Sequence, residues 1–133
     1  NDLERIGDLA VDIAERAEYF ATHARVQFPF DFLGMSRKTQ QMIQKSLDAL
    51  VNLDLELAKE VCLTDDTVDD MHRDMFHKIE TAIQQHPQYA EQFISYLSVS
   101  RYLERMADHA TNIAEDVMYL VQGHIVRHTG GEY

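Results

Sequence analysis

The sequence predicts an all-α fold, an antiparallel bundle of helices joined by short loops. Apolar residues recur every three to four positions over long stretches, which is the periodicity of helices with one buried face. Only five glycines and two prolines interrupt the 133 residues, and no alternating run bounded by turn residues indicates a strand. With 45% hydrophobic residues, the chain is long enough to form one domain with a substantial core.

The first predicted helix runs from residue 1 to about Gln27. Its apolar stripe is formed by Leu3, Ile6, Ala10, Ile13, Ala17 and Phe20. No capping residue precedes this stripe, so we expect the sequence to begin inside a helix. Pro29 and Gly34 then predict a loop in the segment FPFDFLG.

Two more helices are predicted in the middle of the chain. The second begins near Ser36, a residue type that caps helices, and ends near Cys62. The third begins at Thr64 and ends at the segment HPQ, where Pro87 suits the first turn of the next helix. The apolar stripe of the third helix is formed by Val68, Met71, Met75, Ile79 and Ile83.

The fourth predicted helix carries a second copy of a motif found in the first. It runs from about Gln88 to Gln122, with Gly123 as its stop, and residues 124–133 are expected to form a tail. The segment LERMADHATNIAED at residues 103–116 repeats LERIGDLAVDIAER at residues 3–16, and eight of the first thirteen positions are identical. This repetition indicates an internal duplication of one helix.

The duplicated motif places acidic residues four positions apart. The pairs are Glu4 with Asp8 and Glu104 with Asp108, and Asp12 and Asn112 follow at the next turn. Like charges at this spacing destabilise a helix by roughly 0.2–0.5 kcal/mol per pair. On both helices the acids lie on the side away from the apolar stripe, so a solvated acidic face is one interpretation.

A second interpretation is a cation site between the third and fourth helices. If the third and fourth helices are antiparallel and turn at His86–Pro87, residues equally distant from this turn lie side by side. The numbers of such a pair sum to about 173, as 86 and 87 do. Asp65 is then level with Asp108, and Asp69 with Glu104. Four carboxylates at one height repel each other unless a multivalent cation binds, and oxygen ligands suit Mg, Ca, Mn or iron.

Two histidines leave alternatives open. His72 lies one turn past Asp69 and either completes a metal site or covers the edge of the core. His109 lies beside Asp108 and is either a surface residue or the phosphate acceptor of a phosphotransfer bundle. The sequence contains no glycine-rich phosphate loop and no nucleophile elbow, so we expect a protein that is not an enzyme.

Charge and composition exclude several classes of partner. The net charge of −11 disfavours nucleic acid and anionic membranes, and favours cations or basic protein surfaces. No apolar run approaches the roughly 20 residues that a membrane-spanning helix needs. The single Cys62 cannot form an internal disulfide, which is typical of a reducing compartment. We therefore expect a cytoplasmic protein without membrane insertion.

The chain resembles the PhoU family of regulators of bacterial phosphate uptake. The resemblance lies in the stretches DLERIGDLAVDIAERA, LTDDTVDDMHRDMF and SRYLERMADHATNIAEDVMYLVQGHIVRH. It implies two three-helix repeats, of which residues 1–28 would be the last helix of the first and residues 36–123 the complete second, followed by the tail at 124–133. The first repeat would then lack two helices, so its remaining helix is expected to bury its apolar surface against its own repeat or in a homo-oligomer.

The resemblance also implies a metal site and a regulatory role. A multinuclear iron or zinc cluster would be bound in the complete repeat by Asp65, Asp69, Glu104 and Asp108, with Asn112 adjoining, and in the first copy by Glu4 and Asp8, with Asp12 as a further candidate. Mg or Ca are alternative ions. Such proteins repress the phosphate-starvation response together with the ATPase of the Pst phosphate transporter and the sensor kinase PhoR. The rival hypothesis is a metal-free helical adaptor that docks its acidic face on a basic partner.

Overall fold

The computed structural model describes residues 1–23 and 26–129, and within the last helix it describes side chains as far as Gly123. The described residues form four long helices and no strand, which confirms the predicted all-α fold. The helices are α1 (Asp2–Thr22), α2 (Phe32–Asn52), α3 (Leu55–Gln85) and α4 (Ala90–Thr129), and a 3₁₀ turn (Pro87–Tyr89) precedes α4.

The boundary between α2 and α3 lies ten residues earlier than the sequence predicted. α2 ends at Asn52 and α3 begins at Leu55, so the predicted end near Cys62 and the predicted start at Thr64 were wrong. The turn is made by Leu53, which adopts the left-handed conformation with φ 49° and ψ 46°. Glycine or asparagine usually occupies such a position, so a leucine that also continues the apolar spacing gives no signal of a turn.

Side-chain caps mark the true starts of the first three helices. The Asn1 side chain accepts a hydrogen bond from the Leu3 N–H at 3.0 Å, so the expectation that no residue caps α1 was wrong. Asp31, and not Ser36, caps α2 by accepting from the Gly34 N–H at 2.8 Å. Asp54 caps α3 in the same way. Each cap satisfies a backbone donor that the first helical turn leaves free.

The ends of α1 and α4 also differ from prediction. α1 ends at Thr22 and not near Gln27, and its C-cap, His23, is extended. α4 continues past Gly123 to Thr129, so the expected tail from residue 124 is helical for its first six residues, while residues 130–133 lie outside the described part of the chain. A Cβ added to Gly123 would meet no atom within 4 Å, so no close contact requires a glycine at this position, and the helix continues through it.

α4 is the central helix of the bundle. α1, α2 and α3 all pack against it, and α2 also packs against α3. The fully buried side chains include Met35 and Met42 of α2, Val68 of α3, and Ala110 and Val117 of α4. None of the described helices has the length and apolar character required to cross a bilayer.

α1 is attached to the bundle on one side. Its Cα atoms approach α4 within 8 Å but approach no other described helix. Ile6 and Leu9 are buried in the core. An apolar groove of about 470 Å³ separates α1 from α2 and is lined by residues such as Ile13, Phe32 and Leu103. One face of α1 therefore lacks a partner within the described residues.

Candidate metal centre

Three carboxylates meet at the seam between α3 and α4. One oxygen each from Asp65, Asp69 and Asp108 lies within 4.8 Å of the others. Asp65 and Asp69 are four residues apart and share one face of α3, because residues at that spacing are neighbours on a helix surface. The short turn before α4 sets the register of α4 against α3 and thereby the position of Asp108 along the seam. The convergence predicted for these three residues is present in the structure, and their role as ligands stays a prediction.

Burial, and after it the proximity of the other acids, raises the pKa values of two of these carboxylates. Burial, together with the charges of Asp69 and Asp108, raises the pKa of Asp65 to about 6. Burial, a hydrogen bond with Glu104 and the charges of Glu104 and Asp69 raise the pKa of Asp108 to about 7. Both shifts measure the free-energy cost of holding several negative charges in a partly desolvated place.

Asp65 also has an unsatisfied oxygen atom. Its Oδ1 is buried and has no hydrogen-bond partner within the described residues. Buried carboxylate oxygens without a partner are rare, because the lost hydration is not replaced. A cation bound among Asp65, Asp69 and Asp108 would satisfy this oxygen and neutralise the repulsion. The donor set of carboxylate oxygens therefore fits a metal ion of the hard or intermediate class.

Glu104 borders the same centre. It lies close enough to Asp108 for the two groups to share a hydrogen bond when one of them is protonated, which favours the protonated form of Asp108. It also lines a cavity of about 480 Å³ with Asp69, His72 and His77. Glu104 does not belong to the group of three oxygens within 4.8 Å, so the structure places it at the edge of the centre. In contrast, Asp66 and Asp70 are exposed and lie outside the three-carboxylate group.

The remaining predicted ligands lie on the α1 side of α4. Asn112 donates a hydrogen bond from Nδ2 to Asp2 Oδ1 at 3.2 Å. Glu4 is exposed. Asp8 and Asp12 line a cavity of about 470 Å³ that Asp108 also lines from the other side. These four residues are therefore outside the three-carboxylate group, although Asp8 and Asp12 share this cavity with Asp108, and their role as ligands stays a prediction.

The cavity beside Asp8 and Asp12 contains two arginines that the sequence analysis did not single out. Arg5 and Arg105, the residues that follow the glutamate in each copy of the duplicated motif, both line it. His109 lines it as well and binds Asp2, with 2.9 Å between Nδ1 and Oδ1. That hydrogen bond is the main cause of the lowered pKa of Asp2. The repeated Glu-Arg pair was the available signal for the two arginines.

His72 is held between α3 and α4. Its Nδ1 lies 2.7 Å from the hydroxyl oxygen of Ser100, a fully buried residue of α4. Burial and the positive charge of Arg101 lower the pKa of His72, so its neutral form predominates near neutral pH. Sequence reasoning found His72 but missed Ser100, although the two numbers sum to 172, close to the level expected for this pair of helices.

Comparison with known proteins agrees with this architecture. The PhoU domain family model matches residues 32–117. The phosphate-specific transport system accessory protein PhoU homologue of Clostridium acetobutylicum is 36% identical over 122 residues, covering 92% of this chain and 56% of that protein. The homologue of Pseudomonas aeruginosa is 36% identical over 130 residues, covering 97% of this chain and 54% of that protein.

A solved structure extends the likeness to the fold. The crystal structure of PhoU from Pseudomonas aeruginosa superposes with a TM-score of 0.85 at 35% identity, over 92% of this chain and 59% of that chain. The chain spans about half the length of the relatives it matches. The helix order, the family model and these identities lead to one conclusion, that this chain belongs to the PhoU family.

Proposed function

We propose that this chain is a metal-binding, non-enzymatic accessory protein of phosphate transport. Its relatives are named accessory proteins of the phosphate-specific transport system, which supports the transport role. The observation that carries the metal-binding part is the group formed by Asp65, Asp69 and Asp108, whose oxygens lie within 4.8 Å of one another. The buried, unpartnered Oδ1 of Asp65 distinguishes this group from an ordinary acidic surface.

The chain's own residues define what such a centre does. Asp65 and Asp69 belong to α3 and Asp108 to α4, so a shared cation would clamp the two helices together at one height. A bound cation supplies positive charge that turns the repulsion among the carboxylates into attraction. Glu104 stands at the edge of the centre as a further oxygen donor. We propose an iron or zinc cluster, with Mg or Ca as alternatives, because carboxylates accept all of these ions.

We further propose that the protein works in the cytoplasm as a negative regulator of the phosphate-starvation response. Its partners would be the ATPase of the Pst transporter and the kinase PhoR. The net charge of −11 supports docking on basic protein surfaces. A homo-oligomer is also part of the proposal, because the apolar groove of about 470 Å³ beside α1 would be covered by a second copy.

Metal content measured on two matched variants tests the metal-binding proposal. The variant Asp65→Asn/Asp108→Asn removes two charges of the centre while preserving side-chain volume. The variant Asp66→Asn/Asp70→Asn removes two exposed charges from the outer face of α3. Each protein is purified without chelator or histidine tag, checked for helicity by circular dichroism, and analysed by mass spectrometry.

We expect bound iron or zinc in the wild type and in the outer-face variant, and a loss of about ten-fold or more in the variant of the centre. Equal metal in all three proteins would move the site elsewhere. Absence of metal from the folded wild type, even after reconstitution, would reject the metal centre. The metal-free adaptor would then be the better description, because the acidic charge would remain its most distinctive feature.

A further inference from the structure

The surroundings of His72 differ from those of an ordinary surface histidine. It is partly buried between α3 and α4, where its Nδ1 is engaged by the Ser100 hydroxyl at 2.7 Å. Ser100 is itself fully buried, so this hydrogen bond is shielded from water. His77, one turn and a half further along α3, is instead exposed and lies 3.5 Å from Glu80 in a surface pair. The packing thus fixes the orientation of one of the two rings.

His72 also shares a cavity with two carboxylates of the centre. The cavity of about 480 Å³ is lined by Asp69, His72 and Glu104 among others; Asp69 also belongs to the three-carboxylate group, whereas His72 lies outside that group and next to it. Because Nδ1 is taken by Ser100, the nitrogen left for any ligand is Nε2. Histidine ligands of metals commonly have this arrangement, in which one ring nitrogen is held by a hydrogen bond and the other binds the ion.

We propose that His72 supplies a nitrogen ligand at the Asp69–Glu104 side of the centre and thereby selects transition-metal ions over Mg²⁺ and Ca²⁺. This inference rests on the proposed metal-binding function. Metal binding at Nε2 requires the proton on Nδ1, which then donates to the Ser100 oxygen. Ser100 is therefore the positioning residue for the ring.

Carboxylate and imidazole ligands favour different classes of metal ion. Carboxylate oxygens are suitable ligands for Mg²⁺ and Ca²⁺, whereas the imidazole nitrogen is a ligand for zinc, iron, cobalt and nickel. A site with oxygen donors only would discriminate weakly between these two classes. One nitrogen ligand adds affinity for the second class and nothing for the first. The ratio of Co²⁺ to Ca²⁺ affinity therefore reports the role of His72.

The test is a comparison of Co²⁺ and Ca²⁺ affinity, measured by calorimetry on the wild type, His72→Gln, Ser100→Ala and His86→Gln. We expect His72→Gln to weaken Co²⁺ binding by about 10- to 100-fold and to leave Ca²⁺ binding unchanged. Ser100→Ala keeps the ring but frees it, so a smaller loss is expected. His86→Gln is the matched control, because His86 is exposed at the turn between α3 and α4.

A second readout does not depend on affinity. Bound Co²⁺ should shift the ring-proton NMR signals of His72, assigned by their absence in His72→Gln, far outside the diamagnetic range. Wild-type protein that binds no Co²⁺ would overturn the metal centre and this inference together. Co²⁺ binding that is equal in the wild type and a folded His72→Gln, or unshifted His72 signals, would overturn the role of His72 alone.

Discussion

The two copies of the duplicated motif meet different surroundings in the fold. In α4, Asp108 faces Asp65 and Asp69 from α3, and the three carboxylates converge within 4.8 Å. In α1, Asp8 and Asp12 face a cavity that Arg5, Arg105 and Asp108 also line, and among the described residues they belong to no group of three possible ligands within that distance. The same spacing of acids therefore produces a candidate metal centre in one place and a mixed-charge surface in the other.

The helix that packs against the motif, and not the motif alone, therefore determines whether its acidic residues join a group of carboxylates. α3 brings acids at the height of Asp108, whereas the cavity between α1 and α4 brings arginines and the Asp2–His109 pair. Packing follows the same division. α3 packs against both α2 and α4 and has buried residues from Ala58 to Ile79, while α1 has α4 as its single partner among the described helices. The predictions below compare the α3–α4 seam with the α1–α4 seam.

The largest effect is expected from a cavity in the α3–α4 seam. Met75 is fully buried and packs with Ile79 and Phe93, so Met75→Ala should lower the free energy of unfolding by about 3–4 kcal/mol. Ile6→Ala removes a similar side chain from the α1–α4 seam, but the groove beside α1 gives the neighbours room to relax, so about 2 kcal/mol is expected. Urea denaturation of both variants measures the two losses.

Equal losses in the free energy of unfolding for the two variants would contradict this difference between the two seams. An Ile6→Ala loss as large as that of Met75→Ala would mean that α1 is as tightly held as α3. Native-state hydrogen exchange then identifies the reason. We expect the amides of α1 to open at lower free energy than those of α3 and α4, because opening α1 breaks contacts with one helix only.

Much of the fold could be predicted from the sequence because it depends on local patterns. Helical periodicity gave the four helices, and the break at His86–Pro87 set the register of α3 against α4, which placed Asp65 beside Asp108. The turn at Leu53 could not be predicted, since a leucine in the left-handed conformation is stabilised by the fold and not by its own preference.

The α1 side of the site was predicted less well for a related reason. A segment of several residues joins α1 to α2, and no short turn joins α1 to α4, so no rule fixed the register between them. Asn112 was placed beside the metal centre by the resemblance alone, and its role as a ligand stays a prediction, although its side chain donates a hydrogen bond to Asp2. Register rules of this kind work for neighbours along the chain and fail for helices that meet only through the tertiary fold.

An intermediate effect is expected from pH on the metal-free protein. Asp65 and Asp108 have pKa values of about 6 and about 7 in the fold, against 3.8 for an ordinary aspartate. Between about pH 4 and pH 7 the folded state binds more protons than the unfolded state, so stability must fall as the pH rises through this window. Solvent screening reduces the effect to about 1 kcal/mol, or a decrease in Tm of about 3–5 °C from pH 5 to pH 8.

Thermal unfolding in the presence of a chelator measures this dependence, and two variants sharpen it. Asp108→Asn removes one repelling charge, so it should raise the Tm at pH 8 and flatten the pH profile. Asp70→Asn, an exposed residue of α3 that pairs with Arg73, should leave the profile as it is in the wild type. A wild-type Tm that stays constant or rises between pH 5 and pH 8 would contradict the electrostatic description of the seam.

The smallest effect, with the opposite sign, is expected at the α1–α4 seam. Asp2 Oδ1 accepts hydrogen bonds from Asn112 and contacts His109 Nδ1 at 2.9 Å, and its pKa is lowered chiefly by His109. A carboxylate with a lowered pKa stabilises the fold above its unfolded pKa of about 3.8, and this contribution is lost as the pH falls through the folded value. Asp2→Asn should therefore destabilise the protein at pH 7 by about 0.5–1 kcal/mol.

A double-mutant cycle with His109→Gln isolates the pair, because Asp2 also lies in the first turn of α1 and interacts favourably with the helix dipole. If the losses of Asp2→Asn and His109→Gln add completely, the helix dipole and the hydrogen bond from Asn112 account for the effect of Asp2→Asn and the pair with His109 contributes nothing. A coupling of about 0.5 kcal/mol would show that the pair joins α1 to α4. Removing an aspartate would then stabilise the metal-free α3–α4 seam and weaken the α1–α4 seam, although both residues lie beside copies of the same motif.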